Sequence, residues 1–305
     1  MIPTSVTMVE VGPRDGFQPI ERFIPTDRKI ALIDQLYDAG VRRMEATAFV
    51  SPRAVPQMAD APELLMYLRD KPGLDVQVLV PSQRQAERAL AADATHLAFV
   101  LSASEAHNQS NVRRSPAESV EDLRAIVAML PEGTELRINL ATSFDCPFNG
   151  PVSAEQTLNL VETLLAAAPE AEVALCDTTG RVTPDRVGAL FRSAKARLPQ
   201  ARWAFHGHDT YGLGVANVLA ALGEGVDVVD ASFAGMGGCP FAPGATGNVA
   251  TEDVVWTLAA MGVRTGIDLE RLLQAAGDAA TLPGASVGGR VRDALSARSC
   301  QAAMA

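Results

Sequence analysis

Short apolar runs alternate with stretches of helical period along nearly the whole chain. Runs bounded by polar or turn residues and carrying apolar side chains on both faces are the pattern of strands in a buried parallel sheet. They fall at residues 6–11, 43–48, 75–80, 96–101, 135–141, 172–176, 202–206 and 226–233. Helical period appears between them, at 26–39, 82–92, 119–130, 153–168, 184–197 and 213–222. Thr26 is a candidate N-cap for the first helix and Gly40 its stop, while Pro184 after Thr183 suits a first helical position. Eight strands with helical crossovers and no long linker predict an α/β fold, a (β/α)₈ TIM barrel with additional C-terminal helices. One catalytic domain is expected over residues 1–305, with the barrel at about 5–262 and a helical extension at about 263–305. A doubly wound open sheet is the alternative. It would carry a glycine-rich turn after its first strand, and Gly12-Pro13-Arg14-Asp15-Gly16 is not that fingerprint.

Composition narrows the function classes. The chain has 305 residues, of which 48% are hydrophobic and 20% charged, so a large core is available. Its net charge of −10 argues against a nucleic-acid partner, which normally leaves a basic footprint. No apolar run approaches the length that spans a bilayer, and residues 1–12 lack a charged segment followed by an apolar one. A cytoplasmic protein with no membrane partner is expected. The four cysteines, Cys146, Cys176, Cys239 and Cys300, form no Cys-x-x-Cys pair and are too few for a disulfide framework. Reduced thiols follow.

The barrel also predicts where the chemistry sits, because active sites form at the carboxyl ends of the strands. His206-Gly207-His208 closes the seventh strand, and residues two apart on a strand face the same way. Two imidazoles projecting into one space are a good beginning for a metal site. Asp15, after the first strand, supplies a carboxylate oxygen, and Asn248, in a glycine-rich loop after the eighth, an amide oxygen. Two nitrogens and two oxygens with open positions suit Mg²⁺ or Mn²⁺ better than Zn²⁺. Arg14 can donate to a carbonyl oxygen that gains negative charge, as in an enolate. Cys239, between Gly237-Gly238 and Pro240, can act as a general acid or base. Cys146 and Cys176 read as core filler, Cys300 as exposed and without a role, and His96 and His107 as structural residues.

Three motifs now stand together: Val9-Glu10-Val11-Gly12-Pro13-Arg14-Asp15-Gly16, His206-Gly207-His208-Asp209-Thr210-Tyr211-Gly212 and Gly237-Gly238-Cys239-Pro240. With them the chain resembles the 3-hydroxy-3-methylglutaryl-CoA lyase family of metal-dependent TIM-barrel lyases. The likeness extends to Phe49-Val50-Ser51-Pro52, to Cys146-Pro147-Phe148 and to Gly244-Ala245-Thr246-Gly247-Asn248. It implies a divalent cation held by Asp15, His206, His208 and Asn248. The implied reaction is retro-Claisen cleavage of an acyl-CoA, 3-hydroxy-3-methylglutaryl-CoA or a close C3-branched analogue, to acetyl-CoA and a 3-oxo acid, acetoacetate for the parent. By the same resemblance Arg14 stabilises the departing enolate and Cys239 moves a proton to it. Glu45 and Asp177 serve the hydroxyl side, Glu252 is a further acidic site position, and the protein is a homodimer.

Departures from the family pattern cluster near the mouth. Phe17-Gln18-Pro19-Ile20-Glu21-Arg22 stands where relatives continue Leu-Gln-Asn-Glu-Lys, and Ala48, Ala174 and Cys176 replace two serines and a glycine. They leave the acyl group open. A condensing or aldol enzyme acting on a 2-oxo acid is the runner-up, with Cys239 weighing against it. A barrel kept only as a ligand-binding scaffold is the third reading, disfavoured by the intact set of polar residues.

Overall fold

The computed structural model describes residues 2–238 and 247–304, with side chains described as far as residue 297. Cys239 and the side chain of Cys300 lie outside the described residues, so the expectations attached to those thiols lie outside them too. Eight parallel strands close into a barrel: β1 (Thr7–Glu10), β2 (Arg43–Ala48), β3 (Asp75–Val80), β4 (His96–Ser102), β5 (Glu135–Ala141), β6 (Glu172–Asp177), β7 (Arg202–Gly207) and β8 (Val228–Ala231). Each strand pairs with its neighbours in chain order, and β1 closes the ring by pairing with both β2 and β8. The expected fold class is the observed one.

Helices cover the outside: α1 (Thr26–Asp38), α2 (Ala61–Leu68), α3 (Gln83–Leu90), α4 (Glu105–Val112), α5 (Pro116–Met129), α6 (Ala154–Ala167), α7 (Pro184–Arg197), α8 (Gly214–Gly223) and α9 (Thr251–Ala260). Two more follow, α10 (Leu269–Ala280) and α11 (Arg290–Met304). Among the described residues no helix is long and apolar enough to cross a membrane. A short antiparallel hairpin pairs Asp145 and Cys146 with Pro151 and Gly150.

Three differences from the expected elements have plain causes. The polar stretch 104–111, which lies in none of the expected helical segments, forms α4, which buries only His107 and Asn108 and so shows no apolar stripe. Helix α5 starts three residues before the expected 119, because Ser115 and Glu118 form a reciprocal capping box ahead of Pro116. Strand β8 is shorter than expected because the chain turns away at Phe233–Gly235, where Ala234 and Gly235 both take positive φ, 58° and 55°.

The barrel interior is less oily than eight apolar runs suggest. Interiors of this fold are usually filled by branched aliphatic side chains in layers. Here Ala174, Ala204 and Val228 lie side by side in register, with Cys176, His206 and Asp230 in the row above. Ala174, Cys176 and Ala204 form an apolar cluster of their own, separate from the main one between strands and helices. The space beside these small residues holds Arg137, which has no exposure to solvent.

After β1 the chain makes one π-helical turn, Gly12–Gly16, which sets Arg14 and Asp15 at the barrel mouth. A glycine is required at its start. A Cβ on Gly12 would stand 2.4 Å from the Phe233 ring and 2.8 Å from Glu10 Oε1. Gly12→Ala is therefore expected to lose about 1–3 kcal/mol of stability, the usual range for overpacking. A urea midpoint equal to that of the parent would show that the Phe233 ring yields without cost.

Candidate functional site

The carboxyl ends of β1, β7 and β8 bring one set of polar side chains together. His206 ends the inward row of β7, and His208 follows it, bridged to Asn248 across the loop after β8. The two imidazole rings lie 5.2 Å apart, centroid to centroid. Asp15 faces them from the π-helical turn, and one ligand-type atom from each of Asp15, His206 and His208 lies within 4.8 Å of the other two. Asn248 completes the group: its Nδ2 donates to Asp15 Oδ2 at 2.7 Å and to the Met236 carbonyl at 3.0 Å. Gly237, at φ 131°, makes room for that amide, since a Cβ there would meet Asn248 Nδ2 at 2.5 Å.

One atom of this group, Asn248 Oδ1, is buried with no hydrogen-bond partner. Buried polar atoms are rarely left so, and an orphan of this kind calls for an ion or another acceptor of its lone pair. Two imidazoles, a carboxylate and an amide oxygen are a donor set that fits a hard divalent cation. The electrostatics agree. Burial opposes ionisation of Asp15, but Arg14, His206, His208 and the Asn248 amide outweigh it and hold the carboxyl well below its ordinary range. Burial and the charge of His206 push His208 down to about 4, which keeps its ring neutral and able to ligate. At His206 burial also favours the neutral ring, yet the hydrogen bond and charge of Asp230, then the charge of Asp15, raise it.

Arg14 is braced from two sides, Nε donating to Glu45 Oε1 and Nη1 to Asp15 Oδ1. Glu45 in turn accepts from Asn139 Nδ2 at 3.0 Å. Asp177, at the end of β6, is buried, and burial lifts its carboxyl to about 7. Neither of its oxygens has a well-formed hydrogen bond, the amides of Gly180 and Val182 offering only a weak favourable field.

Glu252 stands apart from these residues. It lies under the turn after β8, where Oε2 accepts from the Ala234 amide at 3.1 Å and Arg292 Nη1 approaches Oε1 to 3.8 Å. Burial lifts it to about 7. Its partners are the backbone turn and the C-terminal segment, so any effect on the mouth runs through that turn.

The structural histidines behave as expected. His96 Nδ1 pairs with Asp75 Oδ1 at 2.8 Å, and His107 Nδ1 with Ser102 Oγ at 2.7 Å. Cys146 and Cys176 are buried free thiols. Cys146 accepts from Ser104 Oγ at 3.0 Å. Burial, together with the Asp230 carboxylate, pushes the Cys176 thiol up and keeps it protonated.

Four residues escaped the sequence reading: Glu10, Arg137, Asn139 and Asp230. The only available signal was a polar residue at an inward position of an apolar strand. Glu10 ties β1 to the turn after β8 and to α9. Its Oε1 accepts from the Gly12 amide at 2.8 Å and the Phe233 amide at 3.0 Å, and its Oε2 from Thr251 Oγ1 at 2.7 Å.

A parallel barrel with a candidate divalent-cation centre at its mouth, flanked by a braced arginine, defines the class as a TIM-barrel enzyme. The HMGL-like family model matches residues 5–278. The mitochondrial hydroxymethylglutaryl-CoA lyase of Rattus norvegicus is 41% identical over 275 residues, covering 90% of this chain and 84% of that protein. The hydroxymethylglutaryl-CoA lyase structure from Pseudomonas aeruginosa superposes with a TM-score of 0.91 at 37% identity, over 97% of this chain and 99% of that one. That of an HMG-CoA lyase from Acinetobacter baumannii in complex with coenzyme A and 3-methylmalate gives 0.90 at 38% identity, over 95% of each chain. The chain belongs to the HMGL-like family and is an oxo-acid lyase of the hydroxymethylglutaryl-CoA lyase-like type.

Glu10 yields a pH prediction. Burial lifts its carboxyl from the usual 4.5 to about 8, against the pull of its three donors. The folded state then holds a proton that the unfolded chain releases, so this group's contribution to stability falls as pH rises from about 4.5 to about 8. Glu10→Gln keeps the acceptor at Oε1, puts an amide donor where Oε2 accepts from the Thr251 hydroxyl, and carries no charge. Its urea midpoint is expected to fall less than the parent's between pH 6 and pH 8.5. Equal falls would show that Glu10 is ionised throughout.

Proposed function

We propose that the protein is a divalent-metal-dependent carbon–carbon lyase. Its substrate is 3-hydroxy-3-methylglutaryl-CoA or a close C3-branched 3-hydroxyacyl-CoA, cleaved to acetyl-CoA and a 3-oxo acid, acetoacetate for the parent. The observation that carries the reading is the convergence of Asp15, His206 and His208 with the unpartnered Oδ1 of Asn248. These four residues would hold Mg²⁺ or Mn²⁺. When bound, the cation supplies Lewis acidity and a template for a hydroxyl and a carboxylate oxygen. The family relatives named as lyases support the substrate class, as does the structure of one of them with coenzyme A and a hydroxy diacid.

The chain's own residues supply the remaining steps. A base removes the proton of the C3 hydroxyl, the C2–C3 bond breaks as the C3 carbonyl forms, and the electron pair passes into the thioester enolate of acetyl-CoA. Asp177, buried and lifted to about 7, is matched to take that proton near neutral pH. Glu45 acts by bracing Arg14, which is placed to stabilise the enolate oxygen. The enolate carbon must then receive a proton, the role assigned to the Cys239 thiol. Glu252 holds the turn after β8, which leads into the loop that carries Cys239 and Asn248.

The test is release of acetyl-CoA from 3-hydroxy-3-methylglutaryl-CoA by chelator-treated protein, with and without Mg²⁺ or Mn²⁺. Cleavage is expected only with metal. Arg14→Gln should lower kcat by roughly 100–1,000-fold, the usual loss when an oxyanion donor is removed, and Cys239→Ala should abolish turnover. Full activity in the chelated protein would sink the metal-dependent reading. Metal binding without cleavage would point to a different acyl branch, to be sought among other C3-branched thioesters.

A further inference from the structure

Beneath the mouth, a chain of side chains links His206 back to Asp15 through the barrel interior. His206 Nδ1 lies 3.0 Å from Asp230 Oδ2. Arg137 Nη2 donates to both oxygens of that carboxylate, at 2.7 and 2.6 Å. Arg137 Nε donates to Asn139 Oδ1 at 2.8 Å, and Asn139 Nδ2 to Glu45 Oε2 at 3.0 Å. Glu45 accepts from Arg14 and Arg14 donates to Asp15, so the path returns to the candidate metal centre. Arg137 Nη1 reaches Glu172 Oε1 at 3.2 Å, which gives every nitrogen of the guanidinium a partner.

We propose that Asp230 and Arg137 are positioning residues for the metal centre, Asp230 fixing the ring and tautomer of His206 and Arg137 fixing Asp230. The proposal rests on the metal reading of the preceding section. With Nδ1–H donated to Asp230, Nε2 is the nitrogen that His206 offers as a ligand. Metal-ligating histidines generally owe their orientation to such a second hydrogen bond. An imidazole on a single carboxylate could still swing with it. Arg137 limits that freedom, because Nη2 meets both carboxylate oxygens while Nε and Nη1 are held by Asn139 and Glu172, which fixes the guanidinium plane.

A purely space-filling role explains the arrangement less well. Arg137 has no exposure to solvent, and burying an ion pair gains little stability over well-packed apolar side chains. Ala174 and Ala204 leave the room that the guanidinium occupies, where larger aliphatic residues would have filled the layer. What an apolar filling could not do is hold His206 and Glu45 in a fixed relation.

The experiment measures Mn²⁺ affinity by electron paramagnetic resonance of the free ion. It uses the full chain without substrate, at a temperature where circular dichroism shows each variant folded. The parent is expected to bind Mn²⁺, and Asp230→Asn to bind it 10–100-fold more weakly, the usual cost of losing such a partner. Arg137→Lys keeps the charge but not the guanidinium whose three nitrogens are held by Asn139, Glu172 and Asp230, and is expected to fall between the two. It carries the test if Asp230→Asn does not fold. Lys29→Met breaks a buried pair of Lys29 with Asp60, outside the barrel, and should lower the melting temperature without moving Mn²⁺ affinity. Unchanged affinity in the folded barrel variants, or an equal loss in Lys29→Met, overturns the proposal. A loss in Asp230→Asn with none in Arg137→Lys overturns the part given to Arg137. A parent that binds no Mn²⁺ overturns the metal reading itself.

Discussion

The constraint on which the site depends is the burial of one guanidinium among carboxylates inside the barrel. Arg137 lies between Asp230 and Glu172, and burial alone would strip its charge of water at a cost of several kcal/mol. The carboxylates outweigh that cost and hold the arginine firmly charged. The same field works on the carboxylates. Burial opposes ionisation of Asp230, yet Arg137 and His206 keep its carboxyl below the ordinary range. Removing Arg137 would leave the buried Asp230 carboxylate without its guanidinium partner in a medium of low dielectric. Below this level Arg43 continues the pattern, gripping both oxygens of Glu172 at 2.8 and 3.0 Å. Charge pairing thus runs along the barrel axis, in the place where this fold usually relies on dispersion.

That organisation sorts the acids of the mouth into two kinds. Asp15 and Asp230 sit beside positively charged groups and stay ionised. Asp177 and Glu10 are buried without a guanidinium or ammonium partner, Glu252 has only Arg292 Nη1 at 3.8 Å, and burial lifts the three to about 7, 8 and 7. A group that titrates near neutrality can pass a proton in either direction, whereas a group held far from it can only bear charge. The geometry places Asp177, a group of the first kind, at the mouth. To Glu10 and Glu252 it assigns anchoring of the turn between β8 and α9, through the amides of Phe233 and Ala234. Sequence position alone does not separate these roles, because all are acids close to strand ends.

The barrel was legible because its signal is repeated. Eight apolar runs at regular spacing admit few other folds, and β2, β3 and β5 fall on their expected limits. The convergence of the candidate metal residues was legible because His206 and His208 stand two apart and Arg14 and Asp15 are adjacent, so local spacing carries information about direction. Asp230 and Arg137 had no such signal. They are 93 residues apart, each a charge in a mostly apolar strand, and only the closed sheet makes them neighbours. Helix α4 was missed for a related reason: it packs through His107 and Asn108, side chains that give no apolar period.

The departures from the family pattern acquire separate meanings once they are placed. Phe17 is wholly buried and meets Phe233 edge-on, ring centroids 6.0 Å apart, so its change alters the packing under the π-helical turn. Gln18, Pro19, Glu21 and Arg22 are exposed, on the rim. Ala174 and Cys176 face the interior, and Cys176 is in register with His206. A thiol in place of a glycine adds bulk directly beside a candidate ligand, while an alanine in place of a serine removes a donor from the layer below. Both changes lie in the barrel interior, Cys176 level with His206 and Ala174 one row below it. The residues of the candidate centre are all present, so the departures touch the packing around it and leave its donor atoms in place.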